Sequence, residues 1–217
     1  MRLSRWRLCR PPLPVQTPWT SHYPPGVPAE AHIHAYGNLA ELLEAAFRRH
    51  ARRDALTCMD SRLSFGDLDR LSTAMGAWLQ SLGLRPGDRV AVMMPNVPQY
   101  LVAIAAILRA GLVVVNVNPL YTARELQHQL TDSGSVALIV LENFAHTLEE
   151  VIDECGVRHV VLASMGELLG FWYGRWINFA VRHLAKMVPE FALPLDGGRT
   201  VTRFAAVIEA GSRLSLK

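Results

Sequence analysis

The sequence predicts an α/β fold, a parallel doubly wound sheet with flanking helices, on three observations. Val90 to Met94 and Val136 to Leu141 are strand-length runs that are apolar at every position, the pattern of strands covered by helices on both faces. Strand and helix signals alternate from residue 84 to residue 164 at short spacing, which requires right-handed crossovers between parallel strands. Three helix starts carry capping pairs, Asn38 with Glu41, Ser64 with Asp67 and Thr122 with Glu125, in which a short polar side chain accepts from a first-turn amide and an acid three residues on reaches back.

The elements follow in order. Residues 1–37 hold seven prolines and no helical or strand period; they read as a partly disordered lead that wraps over the surface or stays mobile, ahead of a domain over 38–217. Leu39, Leu42, Leu43, Ala46, Phe47 and His50 fall on one face of a first helix. Ala55 to Met59 is a short strand, with Asp60-Ser61-Arg62 as its turn. The Ser64 helix presents Leu68, Leu71, Met75, Trp78, Leu79 and Leu82 inward and ends at Gly83. Leu84 to Asp88 is a proline-glycine turn into the strand Val90 to Met94. Pro98 to Ala110 is a helix closed by Gly111, Leu112 to Val117 a β-branched strand, and Thr122 to Asp132 a helix. Val136 to Leu141 is a buried strand, Phe144 to Glu154 a helix stopped by Gly156, and His159 to Leu162 a further strand. Beyond Ser164 the alternation is expected to stop: Leu168 to Val188 is an aromatic and basic stretch ending at Pro189, Asp196-Gly197-Gly198 a turn, and Phe204 to Ala210 a last helix.

Composition excludes several functional classes. With 217 residues, 50% hydrophobic and 19% charged, the chain buries enough apolar surface to fold. The net charge of +3 belongs to Arg2, Arg5, Arg7 and Arg10, because residues 17–217 hold 18 basic against 19 acidic side chains. A nucleic-acid binder needs a basic patch on the folded body, and no such stripe is present there. Cys9, Cys58 and Cys155 form no CxxC pair, which speaks against a disulfide framework or a zinc site and for a reducing compartment. Pro11, Pro12, Pro14 and Pro18 interrupt both a secretory core and the amphipathic helix of a transit peptide, so a start placed upstream of the natural one is the plainer account of the basic tip. The longest apolar run, Leu101 to Leu108, breaks at Arg109 and Gly111, well short of the roughly 18 residues that span a bilayer.

Parallel sheets bind ligands at the carboxyl ends of their strands, here Met94-Pro95-Asn96, Asn116-Val117-Asn118-Pro119 and Glu142-Asn143. Asn96, Asn116 and Asn118 are candidate ligand contacts, although asparagine beside proline is also a turn former. The residues show no GxGxxG, no GxxxxGK[ST] and no GxSxG, and no catalytic, cofactor-binding or metal-ligating residue is assigned. His32 and His34 form a pair in the proline-rich lead, with Glu30 as the nearest carboxylate, and read as a surface loop rather than a metal site. Within the aromatic and basic stretch, Trp172, Tyr173, Arg175 and Trp176 are candidate membrane contacts, since half-apolar rings interleaved with cations suit an anionic headgroup boundary. A helix folded back on its own protein uses the same residues.

Several segments closely resemble bacterial long-chain fatty-acid-CoA ligases of the adenylate-forming, AMP-binding superfamily. They are Val90-Ala-Val-Met-Met-Pro-Asn-Val-Pro-Gln-Tyr100, Ile107-Leu-Arg-Ala-Gly-Leu-Val-Val-Val-Asn-Val-Asn-Pro-Leu-Tyr-Thr-Ala-Arg-Glu-Leu-Gln-His-Gln-Leu130, Asp132-Ser-Gly134 and Asn143-Phe-Ala-His-Thr-Leu148. Ser64-Phe-Gly-Asp-Leu68 and Leu84-Arg-Pro-Gly-Asp-Arg-Val90 look like the superfamily's opening, and Asn116 to Thr122 points to its acyl-CoA branch. The likeness runs from about Tyr23 to about Pro194. It implies a fatty acid, ATP, Mg2+ and CoA as the reactants and cofactors of the full-length family, and an acyl adenylate followed by an acyl-CoA as products; the expected place, from the cysteine usage and the aromatic and basic stretch, is the cytoplasm with peripheral contact at the inner membrane face. The family's phosphate loop, its Tyr-Gly-x-Thr-Glu segment, its ribose-binding aspartate and its catalytic lysine have no counterpart among these residues; Lys186 and Lys217 match none of them. The resemblance therefore implies an N-terminal fragment, cut short before its phosphate loop, inactive alone and prone to self-association through uncovered surface. The alternative is a standalone noncatalytic module that pairs with a separate adenylation core or with membrane.

Overall fold

The computed structural model describes residues 17–30, 36–195 and 198–217. The chain divides into two compact units, Met1–Gly37 and Asn38–Lys217. In the first, the described residues hold one 3-10 turn, Pro18–His22, opened by a proline whose missing N–H costs nothing there. His32 and His34 lie outside the described residues, as do the four arginines of the basic tip, Cys9 and part of the expected turn at Asp196-Gly197.

The second unit is built on five parallel strands, β3 (Arg89–Met93), β4 (Val113–Asn116), β5 (Ala137–Leu141), β6 (His159–Ala163) and β7 (Thr200–Arg203), in the order β4-β3-β5-β6-β7. Successive residues of a strand point to opposite faces, and here each face has its own core. Val90, Val92, Ala137, Ile139, Leu141, Val161 and Ala163 share one apolar cluster with residues of α1 (Leu39–His50), α2 (Phe65–Ser81), α3 (Pro98–Arg109) and α7 (Phe204–Gly211). Ala91, Met93, Leu138, Val140, Val160 and Leu162 share the other with α4 (Ala123–Ser133) and α5 (Ala145–Glu149). This is the doubly wound sheet expected, with the two predicted double-faced strands, β3 and β5, as neighbours.

Local chemistry accounts for the helix ends. Ser64 and Asp67 close a full capping box at α2, and Thr122 and Glu125 close one at α4. Asn38 accepts from the Glu41 amide at 2.9 Å. Gly83, Gly111 and Gly134 take φ values of +79°, +76° and +60° just past α2, α3 and α4, conformations that a Cβ disfavours. The face expected of α1 is only partly buried: Phe47 is in the core, while Leu39 and Leu42 are exposed.

Four expectations are corrected. The turn expected at Asp60-Ser61-Arg62 lies at Met59-Asp60, both with positive φ, and Ser61 and Arg62 belong to β2 (Ser61–Ser64), which pairs antiparallel with β1 (Asp54–Cys58). Paired positive φ matches the twist of a two-residue hairpin, which moves the turn one residue earlier. The single helix expected over Phe144 to Glu154 is broken into α5 and a 3-10 turn, Ile152–Glu154, because the chain leaves helical geometry at Val151 (φ −131°, ψ −2°); the Ile152 carbonyl accepts the Cys155 amide at 3.4 Å, closing that turn, and Arg199 at 3.2 Å. The aromatic stretch is helical only from Phe171, as α6 (Phe171–Phe179), and widens into a π-helix over Ala180–Leu184. The alternation resumes past Ser164, since β7 pairs parallel with β6. Among its four residues only Val201 is aliphatic, the pattern of an edge strand rather than a buried one.

Arg109 joins three helices on the first face. Its side chain is 9% exposed, donates to the Asp69 carbonyl at 3.1 Å and the Ser72 hydroxyl at 2.8 Å, pairs with Asp69 and Glu44, and lies 5.7 Å from the Phe47 ring centre. Arg109→Ala removes the charge-assisted bonds and the packing of the stem at once, and is expected to lower unfolding stability by about 2–3 kcal/mol. Urea unfolding followed by circular dichroism checks this; an unchanged midpoint would show that α1, α2 and α3 pack without it.

Candidate functional site

Numbered along the chain, the strand order is 2-1-3-4-5, and the direction of winding reverses between β3 and β5. The loops that leave the carboxyl ends of these two strands, Met94-Pro95-Asn96 and Glu142-Asn143, flank the crevice where such sheets take ligands. Both were among the three loops expected from sequence.

The first loop is buried at its base and open at its rim. Val97 has no side-chain cap to offer, and Pro98 starts α3. Asn96 is exposed and lines a cleft of about 230 Å³ with Leu56, Thr57, Cys58, Val97 and Tyr100. Asn116 and Asn118, at the end of β4, do structural work: Asn116 accepts from the Tyr100 hydroxyl at 3.1 Å, and Asn118 accepts from the Leu120 amide at 3.0 Å, which makes it the turn former of its loop.

The second loop carries the densest polar chemistry. Glu142 has a side chain only 2% exposed and accepts from Arg182 through both oxygens, at 3.0 and 2.6 Å, and from Arg203 at 2.9 Å. Two guanidinium groups therefore compensate one buried carboxylate, as burial of a charge requires. The Glu142 partnership raises the pKa of Arg182 still further, so its charge is permanent. Beside it, Ser164 at the end of β6 is held from three sides: its amide donates to Glu167 at 2.8 Å, its carbonyl accepts from Gln99 at 2.8 Å, and its hydroxyl accepts from Asn178 at 3.2 Å. Glu167 also meets the Ala205 amide in the first turn of α7, yet burial outweighs these donors and pushes its pKa up, with the Glu142 charge adding to the rise. Gln99 Oε1 and Asn143 Oδ1 are buried at the carboxyl ends and accept no hydrogen bond among the described residues.

Sequence reading reached Glu142 and Asn143 through strand-end logic, and missed the roles of Gln99, Glu167, Asn178, Arg182 and Arg203. A glutamate directly after five buried strand residues is a signal that a cation must come to it; which arginine comes is a tertiary fact. Cys58 and Cys155 are free thiols, and burial raises the pKa of Cys155, which leaves it protonated and unsuited to nucleophilic work. No group of three or more His, Cys, Asp or Glu among the described residues is placed to hold a metal ion, and no helix there is long and apolar enough to cross a membrane. Trp172, Tyr173, Arg175 and Trp176 stand together on the outer side of α6, all exposed.

The pattern of the AMP-binding enzyme family matches residues 43–170, a span that covers every strand up to β6 and both loops at the winding reversal. The chain belongs to the AMP-binding enzyme family. Among curated relatives, the long-chain-fatty-acid–CoA ligase of Salmonella typhimurium is 50% identical over 177 residues, 81% of this chain and 32% of that protein. The Yersinia pestis long-chain-fatty-acid–CoA ligase is 46% identical over 197 residues, 90% of this chain and 34% of that protein. The chain thus spans about a third of the length of these relatives. Of solved structures, a long-chain-fatty-acid-CoA ligase from Archaeoglobus fulgidus matches with TM-score 0.53 at 25% identity, over 60% of this chain and 29% of that one. The adenylation and carrier didomain of a carboxylic acid reductase from Segniliparus rugosus, bound to AMP, matches with TM-score 0.64 at 17% identity, over 82% of this chain and 27% of that one, and shows the shared fold.

Glu167 makes a pH test of this cluster. Its folded pKa is raised above the ordinary 4.5, so it binds its proton more tightly folded than unfolded. Its contribution to stability is therefore complete below that value and is lost as pH rises through the folded pKa. Glu167→Gln cannot ionise and is expected to gain on the unmodified protein in thermal midpoint as pH is raised from 4.5 upward. Parallel pH profiles for the two proteins would refute the assignment.

Proposed function

We propose that this chain supplies the N-terminal scaffold of a long-chain fatty-acid–CoA ligase, which activates a fatty acid with ATP and Mg2+ to an acyl adenylate and passes the acyl group to CoA. The observation that carries the reading is the 50% identity over 177 residues to a long-chain-fatty-acid–CoA ligase, which includes the two loops at the winding reversal. The role of the 217 residues in that reaction is to build one wall of the site: the double-faced sheet holds Met94-Pro95-Asn96 and Glu142-Asn143 at fixed spacing, and the Arg182–Glu142–Arg203 cluster holds the carboxyl ends together.

The donor set of these residues does not fit a triphosphate or its metal. The Asn143 side-chain amide donates to the Met187 carbonyl, and the Glu142 carboxylate is already bonded to two arginines. No glycine-rich run of amides ending in lysine is among the described residues, and no group of three or more His, Cys, Asp or Glu there is placed to hold a metal ion. We therefore assign no catalytic, nucleotide-binding or metal-binding residue within the chain, and infer that the 217 residues do not adenylate by themselves. The place of action that goes with this reading is the cytoplasm, with peripheral contact at the inner membrane face through Trp172, Tyr173, Arg175 and Trp176.

A graft tests the scaffold role. Put in place of the matching 177 residues of the Salmonella typhimurium ligase, the aligned part of this chain is expected to support AMP release that depends on oleate, ATP and CoA together. A soluble, folded chimera without that activity overturns the reading. The chain alone, given ATP, Mg2+ and oleate, is expected to release no pyrophosphate; turnover there would place the catalytic apparatus within these residues.

A further inference from the structure

The amino end of the sheet, opposite the crevice, holds a polar cavity of its own. β3 and β6 start there, and the turn that leaves α2 lies beside their first residues. A space of about 350 Å³ opens between these segments, lined by Leu82, Leu84, Arg85, Asp88, Arg158 and His159. Small-molecule sites run from about 300 to about 1,000 Å³ and are mostly apolar. This one has the size of such a site but a charged lining, which selects a small charged ligand.

The lining sets the sign of that charge. Arg85 and Arg158 are exposed, and neither guanidinium makes an ion pair or a side-chain hydrogen bond among the described residues. Cations near a helix C-terminus can serve its carbonyls, but neither arginine bonds a carbonyl of α2, so the end of that helix does not account for them. Asp88 is the one carboxylate of the lining, and its Oδ2 accepts from the Arg85 amide at 2.8 Å, closing the turn that carries Arg85. His159 opens β6; its Nδ1 shares a hydrogen bond with the Thr200 hydroxyl at 2.9 Å, and its Nε2 is left unbonded. Burial lowers the pKa of His159 and the Arg158 charge lowers it further, so the ring is neutral at pH 7. Two cations therefore face one carboxylate, and the ring adds a third positive charge when an anion favours it. Guanidinium groups meet phosphate oxygens with paired N–H bonds, and an imidazolium adds a single donor.

We propose that Arg85, Arg158 and His159 form an anion site at the amino end of the sheet that takes a phosphate group, as inorganic phosphate or as a small phosphomonoester whose organic part rests on Leu82 and Leu84. The site lies at the other end of the strands from the crevice and does not depend on the ligase reading.

Isothermal titration of the full chain with inorganic phosphate and with phenyl phosphate tests this. Binding is expected; equal affinities name inorganic phosphate as the ligand, and tighter binding of phenyl phosphate names a monoester. Arg85→Gln with Arg158→Gln is expected to weaken binding at least about tenfold. The thermal midpoint in phosphate-free buffer is expected to stay unchanged, since both side chains are exposed and unpaired. Sulfate keeps its charge between about pH 7.5 and about pH 5.5, so its binding isolates the ring, which Arg85, Arg158 and Asp88 face across the cavity. A bound dianion raises the pKa of His159, a proton is taken up, and affinity is expected to rise as pH falls, by at least about threefold. In His159→Gln that rise is expected to vanish. Failure of both phosphates to bind, or unchanged binding by the double arginine variant, overturns the proposal. A thermal midpoint that falls in that variant, with no phosphate binding in the parent, overturns it too and assigns the arginines to the end of α2. A failed ligase graft with phosphate binding intact overturns only the scaffold reading.

Discussion

Everything in the second unit depends on burying the central strands from both sides. Val90 to Met93 and Ala137 to Leu141 are essentially inaccessible at every position, so neither strand has a face to give to water. Because side chains alternate, each strand divides its residues between two cores, and two helical layers are obligatory. The right-handed crossover then leaves little choice of path: α3 must return over one face and α4 over the other, and the winding reverses between β3 and β5. The crevice at that reversal is thus a consequence of apolar patterning, before any polar residue has been placed.

The polar residues solve a second problem that the sheet creates. Strand ends bring backbone and side-chain dipoles together at the carboxyl edge, where burial makes every unpaired group costly. Glu142 is held there by Arg182 and Arg203, and Ser164 by Gln99, Glu167 and Asn178. These contacts tie the long excursion between β6 and β7 back to the sheet. They also explain the unusual sidedness of α6, since a helix that must offer Gly174, Asn178 and Arg182 inward has only its other face left for Phe171, Trp172, Trp176 and Phe179.

Much of this was legible residue by residue. The capping pairs at Ser64 and Thr122, the left-handed glycines at 83, 111 and 134, and the double-faced strands are signals carried within a few residues of each other, where local physics decides. β7 was not legible, because Thr200 to Arg203 has the mixed polarity of an edge and owes its strand conformation to pairing with β6. The break within the expected helix over Phe144 to Glu154 was hidden for a similar reason: the 3-10 turn that replaces its end has its Ile152 carbonyl shared between the Cys155 amide and Arg199, which lies 47 residues away in the chain. At the candidate site, strand-end logic reached Asn96, Glu142 and Asn143, and sorted Asn118 correctly as a turn former.

By itself, then, the sequence determined the fold class, the alternation from β3 to β6, the helix ends and the family, all of which are written in local pattern and short motifs. Only the tertiary structure decided which face of α6 looks outward and which arginines reach Glu142. Composition places tryptophan, glycine and arginine in one stretch with no preference for side. Sidedness follows from a close approach of two glycine backbones and from a carboxylate that cannot stay buried alone, and both partners of each contact come together only when the chain is folded.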